Sequence, residues 1–150
     1  MIKIICIGKI KEDYLKQAVS DYCTRLSKYT RLELIELPDE ALKDKVKCIE
    51  LEGANILNHI KERDYVITLE IDGPQYTSTE FASYLSQAEL SGNLTFIIGG
   101  SYGLSAAVKM RSNKKISFSK LTFPHQLFRV ILLEQIYRSY KIRNNETYHK

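Results

Sequence analysis

The sequence predicts an α/β protein: a parallel β-sheet flanked by helices on both faces. Two observations carry this. Short apolar runs alternate with helix-period segments along the whole chain, the order that builds parallel sheets through crossover helices. And 150 residues, 44% apolar and 27% charged, suit a globular unit with a sizeable core. Three prolines and seven glycines give no linker, repeat or low-complexity tract, so residues 1–150 read as one domain.

Ile2–Ile7 opens as a strand. The run is too short for a signal-peptide core, and no apolar run approaches the roughly 20 residues of a membrane helix, so a cytosolic protein is expected. Asp13–Tyr29 places Leu15, Ala18, Val19, Tyr22, Cys23 and Leu26 near a 3.6-residue period, which predicts a helix. Leu32–Leu37 alternates leucine, glutamate and isoleucine up to Pro38 and reads as a strand. A charged helix is expected over about Asp39–Ile60. Tyr65–Ile71 is the next strand, closed by the turn Asp72-Gly73-Pro74. Thr77 or Ser78 caps a helix to Leu90, with Glu80 or Phe81 in its first turn. Leu94–Ile98 is a continuous apolar strand. A short helix from Ser105 to about Met110 and a short strand over Ile116–Ser119 follow. Pro124 suits the first position of a long final helix reaching about Ile142.

In such sheets, ligands bind beyond the carboxyl ends of the strands. Three loops stand there: after Tyr65–Ile71, after Leu94–Ile98 and after Ile116–Ser119. The second contains FIIGGSYGL, Phe96–Leu104. It matches neither G-x-G-x-x-G nor the Gly-Lys-Ser/Thr ending of a phosphate loop. Its glycines permit close backbone approach to a ligand, or make a plain tight turn. Taken alone, the turn is the stronger reading. The third loop lies in SFSKLTFPHQL, Ser117–Leu127, where polar backbone has no helix to satisfy it before Pro124. Buried backbone groups need partners. Either an adenine-like ligand or the protein itself supplies them.

In the final helix, Leu127, Phe128, Val130, Ile131, Leu132, Leu133, Ile136, Tyr137 and Tyr140 wrap most of the circumference. One domain face does not cover so wide a surface, and a homodimer contact is the natural second cover. Among these lie His125 and Arg129, then Glu134 and Arg138, each pair spaced i, i+4. Charges on a buried helix are costly unless paired or used. The plain alternative is one intrahelical ion pair and one solvent-facing histidine.

Charge is uneven. Residues 101–150 hold ten Lys/Arg and two Asp/Glu; residues 1–100 hold twelve and sixteen; the whole chain is +4. A basic last third suggests a polyanionic partner such as RNA, or simply a solvated face. Cys6, Cys23 and Cys48 are odd in number and widely spaced, which predicts free thiols rather than disulfides or a zinc site. No cluster of metal ligands is apparent.

Four motifs fall in order: VITLEI-x-G, FIIGG-x-x-GL, SFSK-x-TFPHQL-x-RV-x-L-x-EQ-x-YR, and a terminal YHK. Together they resemble the small SPOUT-class methyltransferases of ribosomal RNA, the group that methylates N3 of a pseudouridine in helix 69 of 23S ribosomal RNA. The resemblance spans the whole chain and implies a SPOUT-type α/β fold with a C-terminal trefoil knot, against the general rule that chains are unknotted. It implies S-adenosyl-L-methionine as cofactor, no metal, the assembled ribosome as substrate and a homodimer. By the same resemblance, Gly99, with Gly100 beside it, lies against the cofactor, and Leu69 forms another wall. Phe118, Ser119, Lys120, Leu121, Thr122 and Phe123 wrap its adenine and methionine parts.

The target imide nitrogen must lose its proton before it attacks. His125 is a candidate base, Glu134 either a base or the residue that holds Arg138 in place, and Arg129 and Arg138 candidates for binding phosphate or stabilising charge. The resemblance adds the tail: Tyr148 stacks on or positions the pseudouridine and His149 helps with its proton, across the dimer. Lys109, Arg111, Lys114 and Lys115 are expected to meet phosphates. Three alternatives stand: a SPOUT enzyme with another RNA target, a non-enzymatic RNA-binding factor, and a Rossmann-type nucleotide-binding protein.

Overall fold

A computed structural model describes residues 1–150. The chain runs β1 (Ile2–Ile7), α1 (Asp13–Leu26), β2 (Leu32–Leu37), α2 (Lys45–Asn58), β3 (Asp64–Leu69), α3 (Ser78–Ala88), β4 (Asn93–Ile98), α4 (Ala106–Arg111), β5 (Lys114–Ile116) and α5 (His125–Arg143). All strand pairs are parallel, in the order β2-β1-β4-β3-β5. The expected alternation of strands and helices is therefore present in full.

The boundaries move where a local group decides them. α2 starts at Lys45, later than expected, because the Asp44 carboxylate caps the Val46 and Lys47 amides. α3 opens with a capping box between Thr77 and Glu80, then ends in a single 3-10 turn, Glu89–Ser91. Ser105 caps α4 instead of lying inside it. Pro124 precedes α5 as its N-cap, with ψ 128°, so His125 is the first helical residue. The strand expected over Ile116–Ser119 ends at Ile116, because Ser117 leaves β3 and bridges Gln75 instead.

The sheet divides two apolar layers. Ile2, Ile4, Ile67, Phe96 and Ile98 face α1, α3 and α5. Ile5, Ile7, Val66 and Ile97 face α2 and α4 through Ile56 and Val108. Alternation along β1 thus feeds both faces, which is why this strand is buried throughout. Cys6 and Cys48 are buried free thiols and Cys23 is half-buried and free; burial pushes the Cys6 thiol up to about 12. At the amino end of the sheet, Lys3 Nζ donates to the Asp64 carboxylate at 2.8 Å and to the His59 carbonyl at 3.0 Å.

α5 packs on both α1 and α3 and so lies between them. This forces a crossing. β3 runs out to α3 on the far side of the layer, while β5, at the sheet edge, must send its chain inward to α5. The two connections cross at the carboxyl edge, an arrangement most folds avoid. The crossing is tight. Ser117 N–H donates to the Pro74 carbonyl (2.9 Å), and Glu70 N–H to the Ile116 carbonyl (2.9 Å). A Cβ on Gly73 would stand 2.8 Å from Ile116 C and 2.9 Å from Ser117 N.

Arg129 anchors α5 to the sheet. Fully buried, it donates to the Ile7 and Gly8 carbonyls (2.9 and 2.6 Å) and to the Glu36 carboxylate (2.6 Å). Glu36 also accepts from Ile10 N–H at 2.9 Å. One guanidinium thus ties α5, the end of β1 and β2 together.

Two outcomes follow for stability, both read by urea unfolding. Gly73→Ala should lose about 1–3 kcal/mol, because its methyl meets backbone that cannot step aside. Arg129→Met should lose about 3 kcal/mol, since it strands two carbonyls and a partner carboxylate. A Gly73→Ala protein as stable as the parent would show that the crossing is looser than its distances indicate.

Candidate active site

The three loops at the carboxyl edge enclose a cavity of about 700 Å³. From β3 come Leu69, Glu70, Ile71 and Asp72. From β4 come Ile98, Gly99, Gly100, Ser101, Gly103 and Leu104. From the crossing segment come Ser117, Phe118, Ser119, Leu121, Thr122, Phe123, Pro124 and His125, backed by Phe128 of α5. Eight of the nine residues expected to hold a cofactor line this one space. Lys120 does not; it is exposed on the outer side of its loop.

The glycines have two reasons. Gly103 N–H donates back to the Gly100 carbonyl (3.1 Å), with Gly103 at φ +87°. This is the tight turn that the loop alone suggested. A Cβ on Gly99 would stand 2.9 Å from Leu104 Cδ2 and 3.2 Å from Gly103 C, so a side chain there would displace Leu104. The turn therefore presents bare backbone to the cavity.

The opposite wall is aromatic. Phe118 meets Phe128 edge-on at 5.2 Å between centroids, and Phe123 stacks on Phe128 at 6.1 Å. From Phe118 to Phe123 no backbone N–H or C=O bonds to another backbone group. Ser117 Oγ donates to the Ser119 carbonyl, and Ser119 Oγ accepts from Leu121 N–H. Of the two readings left open, the protein itself supplies only these two side-chain bonds to the segment. An adenine has a planar apolar face and edge donors and acceptors, and this wall has matching features.

The third side is charged, and sequence reasoning missed it. Glu70 accepts from Thr68 Oγ1 at 2.8 Å and faces Lys109 Nζ at 3.5 Å. Asp72 pairs with Lys115 at 3.3 Å, and that hydrogen bond holds its carboxyl below the usual range. The signal available was the Glu70 that follows Leu69 directly at a strand's carboxyl end.

The expected catalytic residues separate into three places. His125 lines the cavity. Arg129 does not; its guanidinium is buried in the anchor described above. Glu134, Arg138, Tyr148 and His149 form a second cluster on the other half of α5, with Glu134 roughly 13 Å along the helix from His125. Glu134 accepts from Arg138 Nε (3.0 Å) and from the Tyr148 hydroxyl (3.0 Å). The Arg138 guanidinium lies over the Tyr148 ring, 4.8 Å from its centroid. Burial and then the Glu134 bond push the Tyr148 hydroxyl upward, so it stays a neutral donor. Arg138 Nη1 lies 3.1 Å from His149 Nδ1. Arginine only donates, so Nδ1 accepts, and the neutral ring carries its proton on Nε2. The tail is thus fixed on α5 rather than frayed.

The basic residues also divide. Arg111 donates to the carbonyls of Lys61, Glu62 and Asp64 at the amino end of the sheet, a structural use. Lys114 is half-buried in β5. Lys109 lines the cavity, Lys115 pairs with the cavity residue Asp72, and Lys9, Lys11 and Lys120 are exposed. No group of metal-ligating side chains occurs, and no helix is long and apolar enough to cross a membrane.

Comparisons with known proteins agree with this geometry. A family model described as "Predicted SPOUT methyltransferase" matches residues 1–149. The chain is 51% identical to ribosomal RNA large subunit methyltransferase H of Clostridium tetani (strain Massachusetts / E88), with 99% of each chain covered. It is 49% identical to ribosomal RNA large subunit methyltransferase H 1 of Clostridium perfringens (strain SM101 / Type A), again over 99% of each. Among solved structures, a probable methylase family protein from Haemophilus influenzae Rd KW20 shares the fold, with TM-score 0.59 and 13% identity. That match covers 99% of this chain and 70% of the other. With its parallel sheet, crossed connections and cavity in place, the chain belongs to the SPOUT methyltransferase family, in the group of ribosomal RNA large subunit methyltransferase H.

Proposed function

We propose that this chain is an S-adenosylmethionine-dependent methyltransferase of N3 of a pseudouridine in helix 69 of 23S ribosomal RNA. It acts on the assembled ribosome in the cytoplasm, as a homodimer. The observation that carries the reading is the cavity at the chain crossing, where unpartnered backbone and an aromatic wall stand together in a chain of this family. Its volume lies within the range of sites for small organic ligands.

The residues fit the cofactor. Phe118–Phe123 offer backbone donors and acceptors to an adenine edge, and Phe118 and Phe123 flank its face. Leu69 and the Gly99–Gly100 turn close the opposite side. When bound, S-adenosylmethionine supplies an electrophilic methyl group on a good leaving group, so the protein's part is to position and desolvate.

The target imide is a nucleophile only as its anion, whose charge spreads onto the flanking carbonyl oxygens. Arg138 and the His149 Nε2–H are donors suited to that charge. Tyr148 holds the pair through Glu134 and offers a ring for the base. His125, which lines the cavity, takes the proton in this reading. One chain keeps the tail cluster and the cavity apart, which supports a site shared across a dimer. Leu127, Val130 and Ile131, all partly exposed beside the cavity, supply the apolar contact. The trefoil knot of the family rests on the crossing described above. Phosphate contacts fall to Lys9, Lys11, Lys109, Lys115 and Lys120.

The first test is transfer of labelled methyl from S-adenosylmethionine to ribosomes lacking the helix 69 methylation, with naked ribosomal RNA as control. Label on the pseudouridine of ribosomes alone is expected. Cofactor binding without transfer to either would point to another RNA target, and no cofactor binding to a non-enzymatic factor. Removing residues 148–150 should abolish turnover but leave cofactor affinity unchanged. Mixing that truncated chain with a Gly99→Val chain should restore partial activity if the site spans two protomers; no recovery would place each site within one chain. Ribosome binding should weaken steeply with salt, and a flat salt titration would refute the phosphate contacts.

A further inference from the structure

We infer that Glu70 is a cofactor-binding residue: its carboxylate accepts a hydrogen bond from a donor on the non-adenine half of S-adenosylmethionine, the ribose hydroxyls or the α-ammonium group. The inference rests on the cofactor reading above and adds a residue and a chemistry to it.

Glu70 is a fixed carboxylate with spare capacity. Its side chain is 9% exposed. Its backbone is held by Ile116 through a 2.9 Å hydrogen bond, and Thr68 Oγ1 donates to Oε1 at 2.8 Å. Oε2 has only Lys109, at 3.5 Å, longer than a good hydrogen bond. The lysine side chain is half-exposed on a flexible stem, whereas the carboxylate is pinned. An ionised carboxylate takes up to about four hydrogen bonds, and one so enclosed is costly unless its lone pairs are used. Both groups line the cavity.

The rest of the cavity narrows the assignment. The aromatic wall and the bare backbone of Phe118–Phe123 suit an adenine. That leaves the charged side for the polar remainder of the ligand. A ribose offers two adjacent hydroxyl donors to a carboxylate, and the amino-acid end offers an ammonium to Glu70 with a carboxylate for Lys109. Both sources present the same chemistry, N–H or O–H toward a carboxylate oxygen.

The test is calorimetric binding to the full chain of two ligands: S-adenosylmethionine, and 5′-methylthioadenosine, which keeps the adenine and ribose but lacks the amino-acid end. Thermal melting checks the fold. Glu70→Gln is nearly isosteric and should bind S-adenosylmethionine roughly tenfold more weakly, the loss expected for one hydrogen bond to a charged group. If methylthioadenosine weakens equally, the donor is the ribose; if it binds as before, the donor is the ammonium. Unchanged affinity for both ligands overturns the inference while leaving the cofactor reading intact. Failure of the unmutated chain to bind either ligand overturns both. Should Glu70→Gln not fold, Glu70→Asp carries the same comparison with its carboxylate withdrawn by one methylene: a loss supports the inference, and parental affinity overturns it.

Discussion

The position of α5 between α1 and α3 governs this molecule. A helix that follows an edge strand would ordinarily pack beneath that edge. Here α3 holds that place, so the chain leaving β5 must pass the connection between β3 and α3. Two strand-to-helix connections then share one patch of the sheet edge. Gly73 is where they touch, with no volume left for a side chain. The crossing segment cannot join the sheet beyond Ser117 or begin a helix before Pro124. Its backbone from Phe118 to Phe123 is therefore left without backbone partners. In most proteins such a stretch would be a defect. Here it lines a cavity and is backed by the helix that caused the crossing.

Charges along α5 show how burial sorts identical residue types into different work. Arg129 and Arg138 are nine residues apart on one helix. Arg129 points at the end of β1, where its two terminal nitrogens bond two carbonyls and Glu36 in a dry environment. Arg138 points at the chain's own tail, where Glu134 takes one edge of the guanidinium and His149 takes the other. The first arginine fixes the helix to the sheet. The second stays near the surface, with its charge available to a ligand. Glu134 orders that cluster, accepting from both Arg138 and Tyr148, which suits a positioning residue better than a free base.

The cavity and the tail cluster are two different places. One is lined by bare backbone and aromatic rings, the other is a bonded group of Glu134, Arg138, Tyr148 and His149. Their separation along α5 is a property of the single chain. A two-fold contact through Leu127, Val130 and Ile131 would bring the cavity of one protomer near the tail of its partner. The partly exposed apolar surface of α5, surplus to the core of one chain, has a use in that arrangement.

The sequence by itself determined the class of fold and the order of its elements, because apolar periodicity is local and survives in any surroundings. It also located the three loops of the cavity and the residues around Phe118–Phe123, since glycines and polar stretches at strand ends are visible as written. The terminal tripeptide was legible only through resemblance, as its order comes from Arg138 and Glu134 on α5. Element ends shifted by a few residues wherever a distant partner or a cap set them, as at Asp44 and Ser117. Only the tertiary structure separated Arg129 from Arg138, removed Arg111 from the phosphate-binding group, and brought Glu70 to the cavity wall. The physical reason is common to all three. A charged side chain acquires its role from the dryness and the donors and acceptors around it. Those are set by chain segments up to 122 residues away, as Arg129 and Ile7 are.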